Sequence, residues 1–208
     1  MNIFSIDSKF SRFVNLVADM ILLGLMWMCT SIPIVTLGAS TTALYYVMTK
    51  RICNKEGYLF KDYFKSFKAN FIQSTIIWIM LLLILIPFLF DFFWISGDFS
   101  LYTLPFKFAL LIQLLIITVF IFPIISRFEM PTKQLIKTSF FMANKHLATS
   151  ILCIAALILT IVICYLYPPF VVASVGFYCY VSSILLVKVF KKYNPEIDKD
   201  PEDILPLN

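Results

Sequence analysis

Apolar character runs from Leu16 to Met48 with Asp19 as its one acidic interruption. As a single helix rising 1.5 Å per residue, that run would be about 50 Å long. The hydrocarbon core of a bilayer is only about 30 Å thick. The chain must therefore turn within the run, and Pro33 is where it can. Proline lacks a backbone donor, and it biases Ile32 away from helix. We expect a first span over 14–31, a tight turn at Pro33–Thr36, and a shorter return span over 37–50 with Thr36 as its N-cap.

Composition supports lipid as the solvent of most of the chain. The sequence is 61% hydrophobic and 14% charged, with mean hydropathy +0.90. Soluble domains are nearer about 45–50% apolar and 25% charged. In hydrocarbon every backbone polar group must be satisfied internally, which leaves helices or closed barrels. The apolar runs here are of helix length, so the expected fold is an all-α, polytopic transmembrane bundle of about six membrane helices. No cleavable signal peptide is expected, because the first apolar run is long and lacks a small-residue cleavage site.

The remaining spans are expected near 72–90, 106–125, 148–166 and 170–188, the last two joined at Tyr167-Pro168-Pro169. Two basic stretches separate them. In Lys50–Asn70, Phe60, Phe64, Phe67 and Phe71 recur at helical spacing with lysines on the other face, as in a helix lying on a membrane surface. In Arg127–His146, Leu135, Ile136, Phe140 and Phe141 can form an apolar face. Residues 1–15 read as a further interfacial helix, and 91–105 as an outer loop. The division is one membrane domain over 1–190 and a polar, flexible tail over 191–208. With six crossings every Lys and Arg except Lys107 falls on one side, which places both termini in the cytoplasm. The net charge of +5 then belongs to cytoplasmic loops, with the lipid bilayer as partner and no nucleic acid. Phe67-Lys68-Ala69-Asn70 with Thr75 is echoed by Phe141-Met142-Ala143-Asn144 with Thr149, a faint sign of a parallel repeat.

Few residues carry chemistry. His146 is the only histidine, so a histidine-rich metal site within this chain is excluded. The five cysteines form no C-x-x-C pair, and four lie in apolar runs, so neither a disulfide framework nor a zinc site is expected. No phosphate loop, Ser-His-Asp set or paired-carboxylate spacing is present. The reading assigns no catalytic residue and no cofactor. Asp19 stands inside the first span, four residues after Asn15 and on the same helix face. There it can bind a cation, relay a proton or pair with a basic residue; near the headgroups it would only anchor the helix. Arg127 and Glu129, flanking Phe128, are candidates for a surface ion network with Asp19 or the lysines. The small residues Gly38, Ala39, Ser40, Thr41, Thr42 and Ala43 admit two uses. Gly38/Thr42 and Ala39/Ala43 are four apart and let a neighbouring helix approach closely. Alternatively the helix N-terminus, with Thr36, Ser40 and Thr41, faces an outer cavity that holds an anionic or hydroxylated solute.

The stretch SIPIVTLGASTTALYY, a proline turn followed by a small-residue helix ending in paired tyrosines, resembles the N-terminal signature of the YesL-type family of bacterial integral membrane proteins. FKSFKANFIQS and IISRFEMPTKQLIKTSF resemble its later segments. The resemblance runs to about Lys192. It implies a protein of Gram-positive bacteria whose gene lies near carbohydrate ABC-transporter and sensor genes, and it carries over no catalytic or binding residue. The expected function is that of a non-enzymatic multi-pass membrane protein accessory to carbohydrate uptake, with an ABC transporter or membrane sensor as partner. The alternative is a small transporter or permease component.

Overall fold

The computed structural model describes residues 9–53, 57–94 and 98–193, with side chains over 14–53, 57–90 and 104–193. The described chain is all-α. Seven helices follow in order: α1 Lys9–Thr30, α2 Leu37–Ile52, α3 Leu59–Trp94, α4 Asp98–Ile125, α5 Thr132–Lys145, α6 Leu147–Leu166 and α7 Val171–Phe190. Short 3₁₀ turns precede α2 (Ile34–Thr36) and α7 (Pro168–Phe170). The expected tail and the beginning of the expected N-terminal interfacial helix lie outside the described residues.

Among the described residues, four segments are long and apolar enough to cross a membrane: Leu59–Phe90, Leu104–Ile125, Leu147–Leu166 and Pro168–Phe190. The reading of six crossings also requires α1 and α2. The apolar part of α1, Val14–Thr30, is shorter. The 16 residues of α2 span about 24 Å, less than a hydrocarbon core.

Three expected boundaries are corrected. The first described residues join α1 directly, with no break between an interfacial helix and a span. The basic phenylalanine-bearing segment and the third span are likewise one helix, the 36-residue α3. No glycine or proline stands between Leu59 and Ile86 to end it. Phe60 and Phe64 are exposed, whereas Tyr63, Ser66, Ser74 and Ile77 are buried. Lastly, the expected loop over 91–105 is mostly helical. α3 continues to Trp94 and α4 begins at Asp98, with Pro105 inside it. On α5, Leu135 is buried, while Ile136, Phe140 and Phe141 remain exposed.

α2 sits at the centre. Ten of its 16 residues are buried, and it packs on α1, α3, α4 and α7, most extensively on α3. Small residues make this possible. A methyl at Gly38 would come within 2.5 Å of the Ser74 carbonyl oxygen and 2.8 Å of Trp78 Cβ. α6 is the reverse case, with only Ser150 and Cys153 buried. It presents an apolar outer surface suited to lipid.

The two members of the sequence echo share one local bond. Asn70 Nδ2 donates to the Ser66 carbonyl and Asn144 Nδ2 to the Phe140 carbonyl, each four residues back. The surroundings differ, since α3 runs straight through while α5 and α6 part at His146.

Candidate functional site around the central helix

The turn between α1 and α2 is tied by Thr36. Its hydroxyl lies 2.6 Å from the Thr30 carbonyl and 2.7 Å from the Pro33 carbonyl. Thr36 occupies the N-cap position of α2 but makes no side-chain capping bond there. The expected N-cap position is thus observed, without a side-chain capping bond. A hydroxyl engaged backwards on α1's last carbonyl closes the turn instead of satisfying the amides of α2. Pro33 is extended at ψ 116° and separates the two helices as its fixed ring requires.

The small-residue stretch is used for packing. Ala39, Ser40, Thr42 and Ala43 are fully buried. The hydroxyls of Ser40, Thr41 and Thr42 each donate to the carbonyl four residues back, at 3.0, 2.7 and 2.9 Å. Thr42 also meets Ser74 Oγ on α3 at 2.9 Å. Thr41 accepts from Trp27 Nε1 at 3.2 Å. Tyr63 reaches over from α3 to Thr30 Oγ1 at 2.7 Å. Such back-bonding satisfies polar side chains inside a helix without a ligand. Of the hydroxyls expected to hold a solute, those of Thr36, Ser40 and Thr41 are each bonded to a backbone carbonyl, and Ser40 is fully buried.

Asp19 is buried at 7% exposure. Arg51 Nε and Nη2 both lie 2.6 Å from its Oδ2. This charge-assisted pair joins α1 to the last turn of α2. Beside it Lys50 Nζ lies 3.1 Å from Asp62 Oδ2 on α3. The C-terminal end of α2 is therefore held to both neighbours by cations placed where the helix dipole favours them. Asn15, expected to share Asp19's face, is exposed. Four residues turn a helix by about 40° beyond a full revolution, and the edge of the buried face falls between them. Arg127 is buried and lies over the Tyr46 ring, 5.3 Å from its centroid. Glu129 is exposed. The partner of Asp19 in the structure is thus Arg51, which sequence reasoning counted only as one of several basic residues.

A cavity of about 430 Å³ lies beside α2, walled by α1, α3, α4, α6 and α7. Trp27, Thr41, Tyr45 and Trp78 form much of its polar-capable wall, and sequence reasoning singled out none of them except Thr41. Trp78 Nε1 donates to the Ile34 carbonyl at 2.8 Å, and Tyr45 Oη meets Ser182 Oγ at 3.1 Å. Among the described residues no cluster of three or more His, Cys, Asp or Glu could hold a metal ion.

At the junction of α5 and α6, His146 Nε2 lies 3.0 Å from Tyr193 Oη. Lys145 Nζ stands 5.1 Å over the Tyr193 ring. Partial burial lowers the His146 pKa from its ordinary value, and the charges of Lys192 and Lys145 lower it further.

A family model described as "Protein of unknown function, DUF624" matches residues 20–92. That stretch takes in the second half of α1, the proline turn, all of α2 and most of α3. It includes Arg51 and begins one residue after Asp19. No curated protein and no solved structure matches the chain.

Proposed function

We propose that this chain is a non-enzymatic, multi-pass accessory protein of the YesL type, working in the bacterial cell membrane beside a carbohydrate uptake system, with both termini cytoplasmic. The observation that carries this reading is the pairing of Asp19 with Arg51. A permease that couples flux to an ion needs a carboxylate whose charge is available. Asp19 is already paired with the guanidinium of Arg51. The hydroxyls of α2 are likewise engaged on backbone carbonyls, whereas sugar recognition needs such groups turned toward the solute.

A docking role is supported at α5. Ile136, Phe140 and Phe141 are exposed there, and a groove of about 740 Å³ runs past Phe128, Lys137, Phe141 and Tyr193. Apolar side chains set among lysines suit a partner's membrane-boundary surface as well as anionic lipid. A photo-crosslinking residue at Phe140 in native membranes tests the proposal. An adduct with a subunit of a carbohydrate ABC transporter or a membrane sensor is the expected result. Solute flux in proteoliposomes that contain this chain alone would instead favour the permease.

A further inference from the structure

We propose that the cavity beside α2 is a binding site for one hydrocarbon chain of a membrane lipid, admitted between α4 and α6. Its volume of about 430 Å³ lies in the range of true ligand sites, about 300–1,000 Å³. The chemistry of the wall selects the ligand. Besides the bonds of Trp27, Thr41, Tyr45 and Trp78, the hydroxyls of Thr118 and Thr160 donate to their own helices at 2.8 Å each. Cys164 Sγ lies 3.0 Å from Ser174 Oγ. The protons of these indoles and hydroxyls are engaged within the protein, so the acceptors of a polar solute would find none of them free. Water itself needs two or more polar partners to occupy such a space. An apolar occupant has neither requirement, and it recovers the dispersion contacts that an empty cavity forfeits.

The route of access follows from the rim. Leu115 on α4 is 36% exposed and Ile161 on α6 is 59% exposed, and both line the cavity. Ile161 belongs to the outward apolar surface that α6 presents and Leu115 to that of α4, so the medium at the opening is the acyl region of the bilayer. The occupant is then the hydrocarbon already in contact with that surface.

The test uses the full chain carrying Trp94→Phe, which leaves Trp27 and Trp78 as fluorophores, purified in a maltoside detergent. Dibromostearate, whose bromines quench indole at contact, is titrated in. The expected result is a saturable loss of emission that unbrominated stearate reverses and glucose does not. Adding Val175→Phe or Thr160→Phe, each of which fills the cavity from a different helix, should abolish the saturable loss in protein that remains monodisperse. Quenching that only rises in proportion to the brominated fraction of the micelle would overturn the proposal. So would reversal by glucose, or saturation that persists in a folded, filled variant. Should neither filled variant fold, saturation and competition in the Trp94→Phe protein decide the question.

Discussion

Gly24 on α1 and Gly176 on α7 open a reciprocal contact between their helices. A methyl on Gly24 would lie 2.1 Å from the Val172 carbonyl oxygen, and one on Gly176 would lie 2.2 Å from that of Met20. Met20 and Gly24 are four apart, as are Val172 and Gly176, so each helix offers its glycine to the other's backbone one turn along. Small residues at such contacts are how membrane helices approach closely.

Gly24→Ala and Gly176→Ala should each destabilise the protein, because a backbone carbonyl cannot move aside as a flexible side chain can. Overpacking of this kind costs about 1–3 kcal/mol. That exceeds the roughly 0.5–1 kcal/mol that alanine gains over glycine in a helix. Thermal melting in detergent checks it, and a rise in melting temperature for either variant would refute the close contact.

Removing one partner of the Asp19–Arg51 pair should be harmful in both directions. Asp19→Asn and Arg51→Gln are each expected to cost about 2 kcal/mol. This is below the 3–5 kcal/mol of a fully buried pair, because the Arg51 side chain is 35% exposed. The exchange Asp19→Arg with Arg51→Asp should recover part of the loss. Denaturation of the unaltered protein, the two single variants and the Asp19→Asn/Arg51→Gln double variant gives a coupling energy, and additive effects would mean that the pair contributes nothing.

Ala39→Leu and Ala43→Leu should overpack α2 by a similar 1–3 kcal/mol, since both alanines are fully buried. Ala155→Leu on the exposed face of α6 should leave melting unchanged. Equal melting of all three would place the α2 stripe against lipid.

The orientation in the membrane is open to labelling. With the five native cysteines replaced, a cysteine at Asp98 should react with an impermeant reagent outside the cell and one at Lys61 should not. These positions stand near the start of α4 and the start of α3. Outside labelling at position 61 would reverse the assigned topology.

Acid should loosen the junction of α5 and α6. The folded protein binds a proton on His146 less readily than an unfolded chain, whose imidazole titrates near 6.5. This contribution is therefore full above pH 6.5 and is lost as the pH falls through 6.5 toward the lower folded value. His146→Gln should flatten that part of the pH dependence of melting; an unchanged profile would show that the group does not contribute.

Much of the hairpin was legible in the sequence, because a proline turn fixes which residues oppose one another. Asp19 and Arg51 are centred on position 35, Trp27 and Thr41 on 34, and Thr30 and Thr36 on 33. All three pairs nest about one turn, and each is bonded in the structure. Counting outward from Pro33 would have set Asp19 opposite Val47, about one helical turn short of Arg51. Helical content and the apolar runs were legible too, since lipid leaves the backbone few alternatives. The junction near Asn70 was not, because a change from amphipathic to wholly apolar character does not interrupt a helix that has no breaker. Nor were the Gly24–Gly176 contact and the cavity wall. Those depend on how α1, α4, α6 and α7 cross, and crossings between helices remote in sequence are set by the mutual fit of their surfaces, which only the tertiary structure decides.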